Sequence, residues 1–132
     1  MKVRHYGSRE KLSKKIINII DDVVISTKNN NGTYVNLLFN YGSRKEIEDA
    51  VKKIQLSKKK MFNFNDYLYV PESRDPDLII RTGGESRLSN FMLWQSAYSE
   101  LFFTKILWPD FKISSLNRLL HRFSKIKRKY GK

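Results

Sequence analysis

The sequence predicts an α/β fold built on a largely parallel sheet. Short apolar runs with strand character alternate with segments of helical period along the whole chain. Two of those runs, "YVNLLFN" and "DLIIR", are flanked by turn residues, as buried strands are. With 132 residues, 40% of them apolar, the chain is long enough to bury a core of this kind as one domain.

The first element is "KVRHY" (Lys2 to Tyr6), a short strand ended by Gly7. Ser8 is placed to cap a helix starting near Arg9, in which Leu12, Ile16, Ile19, Ile20 and Val23 recur at helical spacing. "TKNNNGT" is a loop by composition. "YVNLLFN" (Tyr34 to Asn40) is a buried strand. Gly42 and Ser43 open a helix with Ile47, Ala50, Val51 and Ile54 on one face. The stretch "LSKKKMFNFNDYLYVPESRDPD" is the least regular, with a short helix around Asn65 to Tyr69 and a loop between Pro71 and Pro76. "DLIIR" (Asp77 to Arg81) is a buried strand. Leu88 to Phe103 reads as one long helix with Phe91, Trp94, Tyr98, Leu101 and Phe102 on its apolar face, stopped before Pro109. Ser114 or Ser115 restarts a last helix through Leu116, Leu119, Leu120 and Phe123, which runs into the basic tail "KIKRKYGK". No internal repeat and no second domain is visible.

Composition narrows the function classes. There is no cysteine, which excludes disulfides and thiolate metal sites, and two histidines do not make a multi-histidine centre. No apolar run reaches transmembrane length and no signal peptide opens the chain, so the expected location is the cytoplasm. The net charge of +13, from 26 Lys and Arg against 13 Asp and Glu, suits an anionic partner. Stretches such as "KKIINII" and "LSKKKMFNFN" also have the composition of an AT-rich genome, and most lysines outside the C-terminus are ascribed to that bias. The basic residues are dispersed and match no nucleic-acid recognition motif, so a nucleic-acid-binding role is the remotest reading.

"RTGGESRLSNF" (Arg81 to Phe91) is the stretch with the most chemistry. Arg81 ends a strand, and ligands of open parallel sheets sit at the carboxyl ends of strands. Gly83 and Gly84 let the backbone come close to a ligand. Arg87 and Ser89 are expected where the next helix begins, where free N–H groups and the helix dipole attract anions. Guanidiniums, a hydroxyl and a helix start converging on one spot make a phosphate or diphosphate site. The competing reading, solvated arginines beside a Ser89 cap, is outweighed by position at a strand end. On the expected helix, Glu100 lies on the same face as Ser89 but about 16 Å along the axis, so one small ligand cannot touch both. Spacing alone makes it a surface glutamate.

The block "DPDLIIRTGGESRLSNFMLWQSAYSELFFTKILWPDF" (Asp75 to Phe111) closely resembles the signature of the cis-prenyltransferases, such as undecaprenyl diphosphate synthases. "NLLFNYGSRKEIEDAV" (Asn36 to Val51) resembles a second motif of the same family, and "MKVRHYGSREKL" the strand and helix before it. The resemblance implies a doubly wound α/β domain that homodimerises and, with Mg²⁺, condenses isopentenyl diphosphate onto an allylic prenyl diphosphate in cis. It implies that Arg81, Arg87 and Ser89 hold the diphosphate of isopentenyl diphosphate, with Gly83 and Gly84 supporting the loop. It ties Glu100 to metal, substrate organisation and the dimer, against the surface reading from spacing. Asn40, Arg44 and Gly131 are secondary site candidates by the same resemblance. Peripheral membrane contact through a lipid product is part of the expectation; nucleic acid is not.

Five departures qualify it. Family members are roughly twice as long, so residues 1–132 are expected to be a single partial domain, the C-terminal half of the family fold. The Asp-Gly-Asn-Gly-Arg loop, whose aspartate works with Mg²⁺ on the allylic diphosphate, has no counterpart, so no catalytic residue is assigned. Most of the tunnel that sets product length is missing too. The usual Gly-Gly after Asn-Tyr is Gly42-Ser43, and the terminal Arg-x-Gly reads Lys129-Tyr130-Gly131, which loses the bidentate fork of arginine. The expected function is therefore the isopentenyl diphosphate-binding half of a cis-prenyltransferase, working as a homodimer or with a partner that carries the other half. An inactive fragment or non-catalytic subunit is the alternative.

Overall fold

The structure, a computed structural model, describes residues 1–70 and 75–129. The chain divides into two compact units, Met1–Ser73 and Arg74–Lys132. In each, a strand, a connection and a second parallel strand make a two-stranded sheet.

In the first unit, β1 (Lys2–Tyr6) pairs in parallel with β2 (Tyr34–Leu38), from Lys2 opposite Tyr34 to Tyr6 opposite Leu38. The crossover is α1 (Lys14–Thr27), which packs on β1 and is tied to it where Val3 N–H donates to Thr27 Oγ1 at 3.0 Å. The helix does not begin near Arg9 under a Ser8 cap. Its cap is Ser13, whose Oγ accepts from Ile16 N–H, while Ser8 Oγ accepts from Glu10 N–H and closes a local turn. Lys11 in the left-handed region stops helix from forming earlier, and Arg9 folds back to pair with Asp21 at 2.5 Å. Gly7 is required where β1 ends: a Cβ there would lie 2.1 Å from Phe39 O.

β2 is not the buried strand its composition suggests. Tyr34, Leu37 and Phe39 are about half exposed, because two strands and one crossover helix cover only part of the sheet among the described residues. Helix α2 (Ser43–Ser57) starts where expected; of the expected face Ala50 is buried, Ile47 and Ile54 are half-buried and Val51 is exposed, and the buried side extends to Ser43 and Glu46. Lys58, left-handed at φ 52°, ends the helix. The irregular stretch then contains one 3₁₀ turn, Phe64–Tyr67, and inserts Leu68 and Val70 into the core with Val3 and Ala50.

In the second unit, β3 (Leu78–Arg81) pairs in parallel with β4 (Glu100–Phe103), Leu78 opposite Glu100 and Arg81 opposite Phe103. The long helix expected over Leu88 to Phe103 does not form. Ser89, Asn90 and Met92 take positive φ, which interrupts any helix, and only isolated turns follow, such as Ser96 N–H to Met92 O at 2.9 Å. Its last residues pair with β3 instead, burying Phe102; strand pairing has overridden helical periodicity. Ser99 Oγ donates to Pro76 O at 2.6 Å and fixes the entry to β4. Pro109 sits in a 3₁₀ turn, Trp108–Asp110, and α3 (Ile113–Phe123) follows with Ser115 and Leu119 buried. The guanidinium of Arg122 lies 4.8 Å from the Phe102 ring centroid, and Arg128 pairs with Asp77 and donates to Tyr98 O at 3.0 Å. No helix among the described residues is long and apolar enough to cross a membrane.

Candidate functional site

Arg81 is the last residue of β3, and its carbonyl accepts from Thr104 N–H at 2.9 Å, so its backbone is fixed by the ladder to β4. Gly83 N–H donates to Ile106 O and Gly84 N–H to Thr104 O, both at 2.9 Å. The glycines take φ of 93° and 87°, which a side chain would resist. Their amides are consumed in holding the loop, so their contribution is its path rather than donors to a ligand.

That path brings the three residues read from the sequence together. The Nη1 of Arg81 donates to Arg87 O and, at 3.1 Å, to Ser89 Oγ. The Arg87 guanidinium pairs with Glu85, with the two side chains 61% and 51% exposed. An ion pair this exposed contributes about 0–1 kcal/mol, so a diphosphate can replace the Glu85 carboxylate at little cost. No helix N-terminus stands behind Arg87 and Ser89, because Ser89 and Asn90 are left-handed; any anion held here depends on side chains, without a helix dipole. Beside the arginines is a cleft of about 270 Å³ whose other wall is Ile79, Leu88 and Phe91. It joins a cationic end to a short apolar end.

Glu100 opens β4 and its N–H donates to Asp77 O at 3.0 Å, at the opposite end of the ladder from Arg81. Three residues of strand separate the two ends, about 10 Å. Alternation puts Glu100 on the face of Ile80 and Phe102, whereas Arg81 shares a face with Ile79 and Phe103. The helix expected to separate Ser89 from Glu100 is absent, and Arg81 and Glu100 stand at opposite ends and on opposite faces of the ladder. No cluster of three or more His, Cys, Asp or Glu able to hold a metal exists among the described residues. Mg²⁺ is commonly held by one or two carboxylates together with substrate phosphates. Glu100 does not fit that role for a diphosphate held by Arg81 within one chain.

Asn40 and Arg44 belong to the first unit. Asn40, at φ 54° just past β2, donates through Nδ2 to Ser8 O at 2.8 Å and Glu10 O at 3.1 Å, while its carbonyl accepts from Ser8 N–H at 3.0 Å. It braces the end of β1. Arg44 lies exposed in the first turn of α2 and does not line the nearby cleft of about 290 Å³, which is formed by Ser8, Glu10, Lys11, Asn40, Tyr41 and Lys45. Gly131 lies outside the described residues.

Sequence reasoning missed Glu46. It is fully buried, accepts from Tyr41 OH at 2.5 Å through Oε2, and accepts from Tyr69 N–H at 2.8 Å through Oε1. Tyr69 OH donates to Asp49 Oδ2 at 2.7 Å, and Lys45 Nζ lies 2.5 Å from Asp49 Oδ1. The bonds from Lys45 and then Tyr69 hold the Asp49 carboxyl below its ordinary range, and burial followed by the bond to Asp49 pushes the Tyr69 phenol well above its own. The available signal was the pair of small residues Ser43 and Ala50 bracketing Glu46 at helical spacing, which marks the packed face.

The fold is parallel α/β, with two arginines and a serine gathered at a strand's carboxyl end. The family model described as undecaprenyl diphosphate synthase matches residues 1–131. The isoprenyl transferase of Thermotoga maritima is 45% identical over 99% of this chain and 59% of its own length. That of Aquifex aeolicus is 42% identical over 100% of this chain and 58% of its own. The crystal structure of "a probable undecaprenyl diphosphate synthase" from Campylobacter jejuni superposes with a TM-score of 0.89 at 33% identity, covering 99% of this chain and 63% of that one. Lavandulyl diphosphate synthase from Lavandula x intermedia, solved in complex with dimethylallyl diphosphate, gives 0.91 at 28% identity, covering 99% and 60%. The chain belongs to the cis-prenyltransferase family. It spans about three fifths of the length of these relatives.

Proposed function

We propose that residues 1–132 form one partial domain that supplies the isopentenyl diphosphate-binding half of a cis-prenyltransferase. The observation that carries this is the cleft at the end of β3. Arg81, Arg87 and Ser89 offer charge-assisted and neutral donors to a diphosphate, and Ile79, Leu88 and Phe91 offer an apolar wall to a short hydrocarbon tail. The reaction on this reading joins isopentenyl diphosphate to an allylic prenyl diphosphate: a carbon–carbon bond forms, the allylic carbon–oxygen bond breaks as diphosphate leaves, and the isopentenyl unit loses a proton. This chain's part is to hold and orient the isopentenyl diphosphate.

The distance of Glu100 from Arg81 directs its carboxylate away from the ligand of its own chain and toward a second copy or another polypeptide. Phe91, Trp94, Tyr98 and Trp108 are exposed apolar area in the same unit for such an association. Sedimentation at micromolar concentration is expected to show dimers or larger species. A stable monomer would remove this role for Glu100.

Purified chain, free of host synthase, is given radiolabelled isopentenyl diphosphate, an allylic primer and Mg²⁺. No elongation is expected from the 132-residue chain alone. Turnover at rates typical of the family would contradict the half-site reading. Turnover restored by adding the N-terminal two fifths of a relative as a separate polypeptide would favour a complementing subunit over an inactive fragment.

A further inference from the structure

The connection after α2 carries a feature the diphosphate site does not use. Lys58, Lys59 and Lys60 are exposed in succession, and Lys52 and Lys53 are exposed in the turns of α2 before them. Between and beyond these charges, Leu56 is 81% exposed, Met61 89% and Phe62 51%. Asp66 is the single acidic residue from Lys52 to Val70. Composition bias accounts for the lysines, but not for large apolar side chains held in water beside them.

The tip is held in place. Lys58 turns the chain through the left-handed region. The Phe62 ring packs edge-on against Tyr67 with centroids 6.2 Å apart, and Tyr67 OH donates to Ser57 Oγ at 3.2 Å. An open cleft of about 830 Å³ lies between these groups and the lysine run.

We infer that this tip, Leu56 to Phe62, docks the protein on an anionic lipid bilayer, with Leu56, Met61 and Phe62 entering the interface and the lysines meeting lipid phosphates. Three projecting side chains fall well short of the roughly 800 Å² per partner that a stable protein interface buries. A bilayer accepts isolated apolar side chains and needs no matching surface, and a polybasic cluster beside inserted apolar groups is what holds proteins to anionic leaflets. Leu56 and Met61, being aliphatic, cannot stack on bases, which disfavours a nucleic acid. The inference is independent of the diphosphate reading.

The cysteine-free chain permits a direct test. Met61→Cys carries an environment-sensitive NBD label, and Asn31→Cys, in an exposed loop of the same unit, carries it as a control. Vesicles contain phosphatidylcholine with or without 30% phosphatidylglycerol as the added probe composition, on the order of that in membranes of appreciable negative potential. Expected are binding to the anionic vesicles only, a blue shift at position 61 and none at 31, and weakening by salt. At about fivefold per lysine, Lys58→Glu, Lys59→Glu and Lys60→Glu together reduce partitioning about a hundredfold or more. Phe62→Ser reduces it further while leaving vesicle charge dependence intact. Equal binding to neutral vesicles, an unshifted label at 61 on bound protein, or unchanged partitioning of the charge-reversed variant would each overturn the inference, and would leave the tip to an acidic protein or nucleic acid.

Discussion

Two regions use charged side chains in opposite ways. Around α2, Glu46 is buried with both carboxylate oxygens bonded, and Asp49 is shared between Lys45 and Tyr69. Around the end of β3, Arg81 and Arg87 lie at the surface, bonded to a carbonyl, a hydroxyl and an exposed carboxylate. In the first arrangement Glu46 cannot release a partner without leaving a buried carboxylate oxygen, a phenol or an amide unmet, so it fixes the fold. The second can exchange its partners for a ligand's oxygens at small cost. A charge deep in a packed helix face is therefore read as structure here, and a charge at a strand's carboxyl end with replaceable partners as a ligand site.

The sharpest break of this contrast is Glu46→Ala. It leaves Tyr41 OH and the Tyr69 amide without their acceptor and is expected to cost about 3 kcal/mol of stability, measured by urea denaturation. A loss below that of an exposed substitution, about 0.5 kcal/mol, would show the lock is not structural.

Tyr69→Phe is expected to cost less, about 1 kcal/mol near neutral pH, for the lost bond to Asp49. Its pH signature is more telling. The phenol is raised above its ordinary value of 10.0, so its contribution is complete below that value and is lost as pH rises through the folded value. Asp49 is lowered from 3.8, so its contribution is lost as pH falls through its folded value. The parent is expected to lose stability above about pH 10 faster than Tyr69→Phe. Parallel curves would contradict the shift.

Substitutions at the β3 loop are expected to move binding and leave stability alone. Ser89→Ala weakens diphosphate binding by about 1 kcal/mol. Glu85→Ala has the smallest effect, a gain of about 0–1 kcal/mol in binding because the carboxylate no longer competes for Arg87. Calorimetric titration with isopentenyl diphosphate, paired with thermal denaturation, separates these outcomes; a weaker-binding Glu85→Ala would show that the pair positions Arg87.

The parts of the fold that sequence periodicity reached were those decided locally. β1, β2, β3, α2 and α3 follow from apolar runs and turn residues near their ends. The segment after Ser89 was illegible because its helical spacing competed with pairing to β3, and partner strands decide such contests from a distance in sequence. Losing that helix removed the dipole expected behind Arg87, yet Arg81, Arg87 and Ser89 still meet, because Gly83 and Gly84 turn the loop back over the strand end. Glu46 resembled any surface glutamate in "RKEIEDA"; its partners, Tyr41 and Tyr69, are brought to it by the fold. The buried carboxylate was invisible for the same reason as the strand.

Titration calorimetry of isopentenyl diphosphate into the parent, Arg81→Ala and Arg87→Ala tests the site most directly. The parent is expected to bind, with affinity falling as salt rises. Arg81→Ala is expected to weaken binding most, by about 2–3 kcal/mol or roughly thirtyfold to over a hundredfold, because on the proposed reading Arg81 contacts the ligand, and its guanidinium also bonds Arg87 O and Ser89 Oγ. Arg87→Ala should follow closely. A parent that binds with neither alanine change weakening it would place the diphosphate elsewhere and contradict the account.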